Sequence, residues 1–219
     1  MIQRSGFQKS LDGLQQDILK MGGLVEDNIT RAVESLAKQD LEQAQRVFQV
    51  EEEIDSLELK IEETCLRLIA TQQPMAKDLR KIASAFKIIT DLERMGDYSV
   101  DIAKITRRIG SDPLIKPLID LPQMANMVQR MVKDSLDAYV AEDMDLAKAV
   151  GNADDDVDAL HKQIFRELLV LMMEKPSSIS QATQLLFVSR SLERIADHAT
   201  NISESVIYLV SGKRVDLNE

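Results

Sequence analysis

Asp91-Leu92-Glu93-Arg94-Met95-Gly96-Asp97 and, one hundred residues later, Ser191-Leu192-Glu193-Arg194-Ile195-Ala196-Asp197 are two copies of one helical signature. In each copy a Glu and an Asp stand four apart, on the same face of a helix, where like charges cost a few tenths of a kcal/mol. A counter-charge is needed to offset that repulsion, and a cation is the simplest one.

The doubling extends beyond the signature. Asp40-Leu41-Glu42 returns as Asp143-Met144-Asp145, and Glu53-Ile54-Asp55-Ser56-Leu57 as Asp156-Val157-Asp158-Ala159-Leu160, both at an offset of 103. The signature repeats at 100, so a small deletion separates the blocks, at the turn marked by Pro74 in one copy and Pro176 in the other. The chain therefore reads as two units of roughly a hundred residues, divided as 1–112 and 113–219.

Eight Gly and five Pro in 219 residues leave little material for turns. The long stretches rich in Leu, Ala, Glu, Lys, Gln and Met favour helix. Breakers divide the chain into six helices, at about residues 7–37, 40–71, from Pro74 to 109, then up to 141, 143–173 and 177–210. Pro113, Pro117 and Pro122 mark the linker between the copies, and Gly110 and Gly212 supply the stops. Short connections between long helices make neighbours antiparallel. The expected fold is all-α, two tandem three-helix bundles.

Charge and cysteine content exclude several functions. A formal charge of −10 is repelled by nucleic acid and by anionic lipid. The longest strongly apolar run, residues 168–173, is too short to insert into a membrane, and the opening residues lack the apolar core of a signal peptide. A single Cys65 on an apolar face fits a reducing compartment. No Ser-His-Asp arrangement, Gly-rich phosphate loop or Cys-His metal spacing is present.

On helix two, Val47, Val50, Ile54, Leu57, Ile61, Cys65 and Leu68 form a core stripe with Glu51, Asp55, Glu58 and Glu62 beside it. On helix three, Ala85, Ile88, Leu92, Met95, Ser99 and Ile102 form the stripe, flanked by Glu93, Asp97 and Asp101. In antiparallel helices joined at Pro74, residues equally far from the turn come level. Asp55 then meets Glu93, and Glu51 meets Asp97, in a patch extended by Asp101. Around Pro176 the same arithmetic brings Asp154 and Asp158 to Asp197 and Glu193. Asn201 stands where the first copy has Asp101, and His161 where it has Glu58. Met21, Met75, Met95, Met172 and Met173 read as core fillers, and His198 as a structural or surface histidine.

Two readings of the acids stay open. Oxygen-rich clusters select hard or borderline cations such as magnesium, manganese, calcium or iron, and a donor set with almost no His or Cys argues against structural zinc. Alternatively the acids form a solvated face balanced by Arg94, Arg194, Lys60 and Lys162, which would leave a metal-free helical adaptor. A carboxylate-bridged di-metal enzyme is a third possibility, but such centres use Glu-x-x-His pairs. The nearest match is Asp158-x-x-His161, in one copy.

The doubled Leu-Glu-Arg-x-x-Asp, the turn Thr71-Gln72-Gln73-Pro74 followed by Asp78-Leu79-Arg80, and Glu53-Ile54-Asp55 together resemble the PhoU family of phosphate-signalling regulators over nearly the whole chain. The resemblance implies metal clusters on Glu93 and Asp97 and on Glu193 and Asp197. It implies no catalysis. The implied role is cytoplasmic negative control of the phosphate-starvation response, relaying the state of a phosphate ABC transporter, through its ATPase subunit, to a phosphate-sensing histidine kinase, by a protein that self-associates as a homodimer. The chain departs from the family pattern at Asp101, where Asn is common, and at Tyr98, where His is frequent.

Overall fold

Polar caps and left-handed residues end the helices where the apolar stripes run out. The computed structural model describes residues 2–217. Its elements are α1 (Ile2–Lys38), α2 (Leu41–Gln72), α3 (Ala76–Ile109), α4 (Asp120–Ala141), α5 (Met144–Glu174), a 3-10 turn (Pro176–Ser178) and α6 (Ile179–Ser211), with no strand among the described residues.

The two copies begin their second helix in the same way. Asp40 caps α2 by accepting from the N–H groups of Glu42 and Gln43 at 3.0 and 2.9 Å, and Asp143 caps α5 by accepting from Asp145 and Leu146 at 2.9 and 3.1 Å. Immediately before each cap, Gln39 and Glu142 adopt a positive φ of 52°, so even a left-handed, non-glycine turn is duplicated. Gly110 and Gly212 follow α3 and α6, with φ of 59° and 72°, as expected of C-terminal stops.

Three expectations need correction. Helix one starts before Phe7, because nothing in the first turns interrupts it. Pro122 lies inside the first turn of α4 rather than in the linker; a helix's first residues have no intrahelical acceptor for their N–H, so proline costs nothing there. Met21 and Met95 are fully buried and Met172 packs against the core, but Met75 and Met173 are 79% and 76% exposed. Those two sit at the α2–α3 and α5–α6 turns, beyond the ends of the packed stripes.

Each repeat is a bundle in which all three helices touch. Between repeats, equivalent helices meet: α1 packs on α4 and α3 on α6. Among the helices, α2 touches only α1 and α3, and α5 only α4 and α6. Like meeting like is the pattern of a two-fold interface, here written into one chain. The buried side chains form one continuous core across both repeats. The predicted stripes are buried throughout, except that Val50 is partly exposed.

Polar contacts fix the α3–α6 register as antiparallel. Arg80 Nε donates to the Leu209 carbonyl at 3.2 Å and Ser84 Oγ to the Ser205 carbonyl at 3.1 Å. Between α1 and α4, Gln129 Nε2 donates to Thr30 Oγ1 at 2.9 Å. Leu136 Cδ1 fills the space that a side chain at Gly22 would take, so the leucine packs directly on the α1 backbone there.

Candidate functional site

The seam between α2 and α3 follows the register that the turn arithmetic predicts. A Cβ placed on Gly96 would lie 3.4 Å from Ile54 Cδ1 and 3.9 Å from Glu51 Cγ. These are ordinary packing distances, and the second copy carries Ala196 at the equivalent position; the contact places Glu51 against the centre of the signature, within the electrostatic reach of Glu93 and Asp97.

Glu51, Asp55, Glu93 and Asp97 interact electrostatically as one group. Burial, and then the carboxylates of Asp55, Asp97 and Glu93, push the Glu51 carboxyl up to about 7, with a hydrogen bond to Asp55 adding to the shift. Burial is also the main cause raising Glu93, helped by Asp97 and Asp55 and opposed by Arg94 and His198. Glu58 extends the group: burial raises it first, then Glu93. Asp101 stands apart, exposed, with its Oδ1 2.8 Å from Lys104 Nζ.

The α5–α6 seam assembles the equivalent quartet. Asp154 is pushed up to about 6, by burial first and then by Asp197, Asp158 and Glu193. Glu193 is raised by burial and Asp197 against the opposing Arg190. Its side chain is 15% exposed, and its Oε2 is buried with no hydrogen-bond partner. Asn201 turns out of this seam and donates from Nδ2 to Asp91 Oδ1 at 3.2 Å.

His161 occupies the position equivalent to Glu58. Its Nδ1 lies 2.6 Å from Ser189 Oγ, which itself reaches Met124 Sδ at 3.7 Å. When the serine proton points to sulfur, the hydroxyl oxygen accepts from Nδ1–H, which leaves Nε2 with a lone pair. Burial lowers the imidazole's pKa, keeping it neutral.

Arginines currently supply the positive charge. Arg94 Nη1 is 3.1 Å from Asp97 Oδ2, and Arg194 Nη1 is 2.9 Å from Asp197 Oδ2. Among the described residues no three carboxylate, imidazole or thiol groups stand arranged to enclose a metal ion. The donor set nevertheless suits a hard cation: clustered oxygens, one carboxyl in each quartet raised by burial and then by its neighbours' charge, and one orphaned buried oxygen. An incoming cation needs the two arginine side chains, each on a flexible stem at the rim, to swing aside.

The sequence reading missed a contact between the repeats. His198 Nδ1 lies 2.8 Å from Asp91 Oδ1, with both side chains 15% exposed. The His198 and Tyr98 rings are 5.8 Å apart, and Arg194 Nε reaches the Tyr98 hydroxyl at 3.4 Å. The signal was present in the doubled signature, whose first residue changes from Asp91 to Ser191 while every other acid is kept.

The free thiol of Cys65 is buried in the α2 stripe and pushed up to about 12 by burial, so it is unreactive. No described helix is long and apolar enough to cross a membrane.

Comparison with known proteins places these features in a family. The family model described as the PhoU domain matches twice, at residues 18–106 and 121–206. A phosphate-specific transport system accessory protein PhoU homolog of Clostridium acetobutylicum is 46% identical over 217 residues, 99% of each chain. The crystal structure of PhoU from Pseudomonas aeruginosa superposes with a TM-score of 0.91 at 39% identity, covering 94% of this chain and 100% of that one. The phosphate transport system regulatory protein PhoU from Streptococcus pneumoniae gives a TM-score of 0.89 at 33% identity, over 96% and 99%.

Proposed function

Because this chain belongs to the PhoU family, we propose that it is a cytoplasmic negative regulator of the phosphate-starvation response. In this reading it couples the ATPase subunit of a phosphate ABC transporter to a phosphate-sensing histidine kinase, with metal ions held on its two acidic seams. The relatives' shared description as accessory proteins of phosphate-specific transport supports the transporter half. The kinase, the homodimer and the cytoplasmic location rest on likeness to the family. The relatives are named as accessory or regulatory proteins, and His161 has Glu58, not a second histidine, at its equivalent position, so a di-metal enzyme gains no support.

One observation carries the metal reading: the same carboxylate quartet is built twice, and in each a member is raised far enough, to about 7 at Glu51 and about 6 at Asp154, to be protonated near neutrality. Glu51, Asp55, Glu93 and Asp97 would hold a cation in the first repeat, and Asp154, Asp158, Glu193 and Asp197 in the second, with His161 Nε2 as a further donor. A bound cation supplies charge neutralisation. The protein's own residues decide the consequence: the quartets give up protons, the arginines turn outward, and the negative charge on the α2–α3 and α5–α6 faces is partly neutralised. Partner docking on those faces is thereby made metal-dependent.

The test is metal content per chain by mass spectrometry on protein purified without chelator or nickel resin, beside a variant carrying Glu93→Ala, Asp97→Ala, Glu193→Ala and Asp197→Ala. Stoichiometric metal that disappears in the folded variant is the expected result, with affinity rising between about pH 6 and pH 7 as the quartets deprotonate. Metal absent from both proteins would return the acids to a solvated face.

A further inference from the structure

Apart from the seams, a polar concavity lies between the repeats. Its walls are α3 and α6, closed at one end by the segment after Gly212, and it encloses about 470 Å³, within the range of small-molecule sites. The closing segment is anchored at its far end, where the Leu217 N–H donates to Glu204 Oε1 at 2.9 Å. The Leu217 side chain packs over Gly151 of α5, where a Cβ would come within 3.1 Å of Leu217 Cβ.

The lining combines three kinds of chemistry. Lys87 of α3 and Arg214 of the segment after Gly212 bring positive charge. Phe86 and Tyr208 are aromatic walls, in a chain with only five Phe, three Tyr and no Trp, and the Arg214 guanidinium lies 5.8 Å over the Tyr208 ring, adding a flat cationic surface. Asp91 and Glu204 offer fixed acceptors. Both contacts to Asp91 fall on Oδ1 and the contact to Glu204 falls on Oε1, so each carboxylate has a second oxygen for a ligand's donor.

We propose that this groove binds a nucleoside phosphate, with its phosphate on Lys87 and Arg214, its base against Phe86 and the Arg214–Tyr208 stack, and its hydroxyl or amino donors on Asp91 and Glu204. An anion alone would use the cations and leave the aromatic walls and acceptors idle; an uncharged ring would do the reverse. The pseudo-symmetric groove is not equivalent. The 100-residue offset puts Phe187, Ser191, Lys104 and Arg108 where this one has Lys87, Asp91, Glu204 and Tyr208, so the matched set of cation, acceptor and aromatic exists on one side only. A ligand here touches both repeats and stiffens their junction.

Titration calorimetry of the full chain with AMP, adenosine and inorganic phosphate, each in the presence of chelator, tests the proposal independently of the metal seams. One AMP per chain is expected, bound more tightly than either fragment. Replacing the rim cations, Lys87→Ala with Arg214→Ala, should weaken AMP roughly 100-fold through the loss of two charge-assisted contacts. Glu204→Gln, which keeps the side chain's size and acceptor for Leu217, should weaken it by a smaller factor and serves as the control should the double variant misfold. Absence of AMP binding, phosphate binding as tightly as AMP, or unchanged AMP affinity in the folded double variant or in Glu204→Gln would each overturn the site.

Discussion

The two seams share a frame and differ at its edges. Glu51, Asp55, Glu93 and Asp97 in the first repeat match Asp154, Asp158, Glu193 and Asp197 in the second, acid for acid. Next to the quartet, Glu58 becomes His161, and burial pushes the two toward the same neutral state from opposite directions, raising the carboxyl and lowering the imidazole. One turn beyond, Glu62 becomes Phe165, which is 47% exposed. Asp101 pairs with its own helix through Lys104, whereas Asn201 crosses to Asp91. Four positions per seam are thus tied to one geometry, and the positions around them are free to give each repeat its own chemistry.

Equal halves sharing one core should respond equally to equal damage. Leu92 and Leu192 are equivalent and fully buried, so Leu92→Ala and Leu192→Ala should each cost about 3 kcal/mol, read from urea unfolding. Because the core is continuous, each variant should keep a single transition; a biphasic curve in either would show that the repeats unfold separately.

The junction should be unequal. His198→Ala leaves the Asp91 carboxylate with Asn201 as its one remaining partner in the pair, at an expected cost of about 1–2 kcal/mol. At the equivalent position, Tyr98→Phe removes a contact to Arg194 that is already long at 3.4 Å, and thermal melts should register less than about 0.5 kcal/mol. Similar losses in both would mean that the junction is held symmetrically after all.

The smallest effects distinguish the quartets by pH. A carboxyl raised in the folded state is protonated there at pH values where the unfolded chain has already ionised. Its contribution to stability therefore declines as pH rises, between 4.5 and about 7 for Glu51 and between 3.8 and about 6 for Asp154. In metal-free protein, Glu51→Gln and Asp154→Asn should match the parent at the acid end of these windows and exceed it in stability above them, the Asp154 difference developing at lower pH. Identical pH profiles for parent and variants would show that neither burial nor the neighbouring carboxylates raise these groups.

Much of this was legible because helices translate spacing into faces. The stripe on α2 and the 19-residue distances of Asp55 and Glu93 from Pro74 sufficed to align the first seam, since antiparallel helices joined by a short turn have little choice of register. Asp101 and Asn201 resisted the same reasoning. Both lie on the expected helical flank, but a side chain there chooses between the seam and the neighbouring repeat, and spacing within one bundle holds no information about that neighbour. Met75 and Met173 misled for a related reason: apolar periodicity continues past the point where a partner helix ends.

By itself, then, the sequence determined what one helix imposes on itself and on the helix joined to it: six helices, their glycine stops, two copies, and the pairing of the acids across each turn. These follow from 3.6-residue periodicity and short connections. The tertiary structure decided how copy meets copy. Pairing α1 with α4 and α3 with α6 is a contact between segments far apart in the chain, settled by shape at sites such as Gly22 against Leu136. It joined Asp91 to His198 and opened the groove between α3 and α6, because side chains that no local pattern connects become neighbours only when two finished bundles pack.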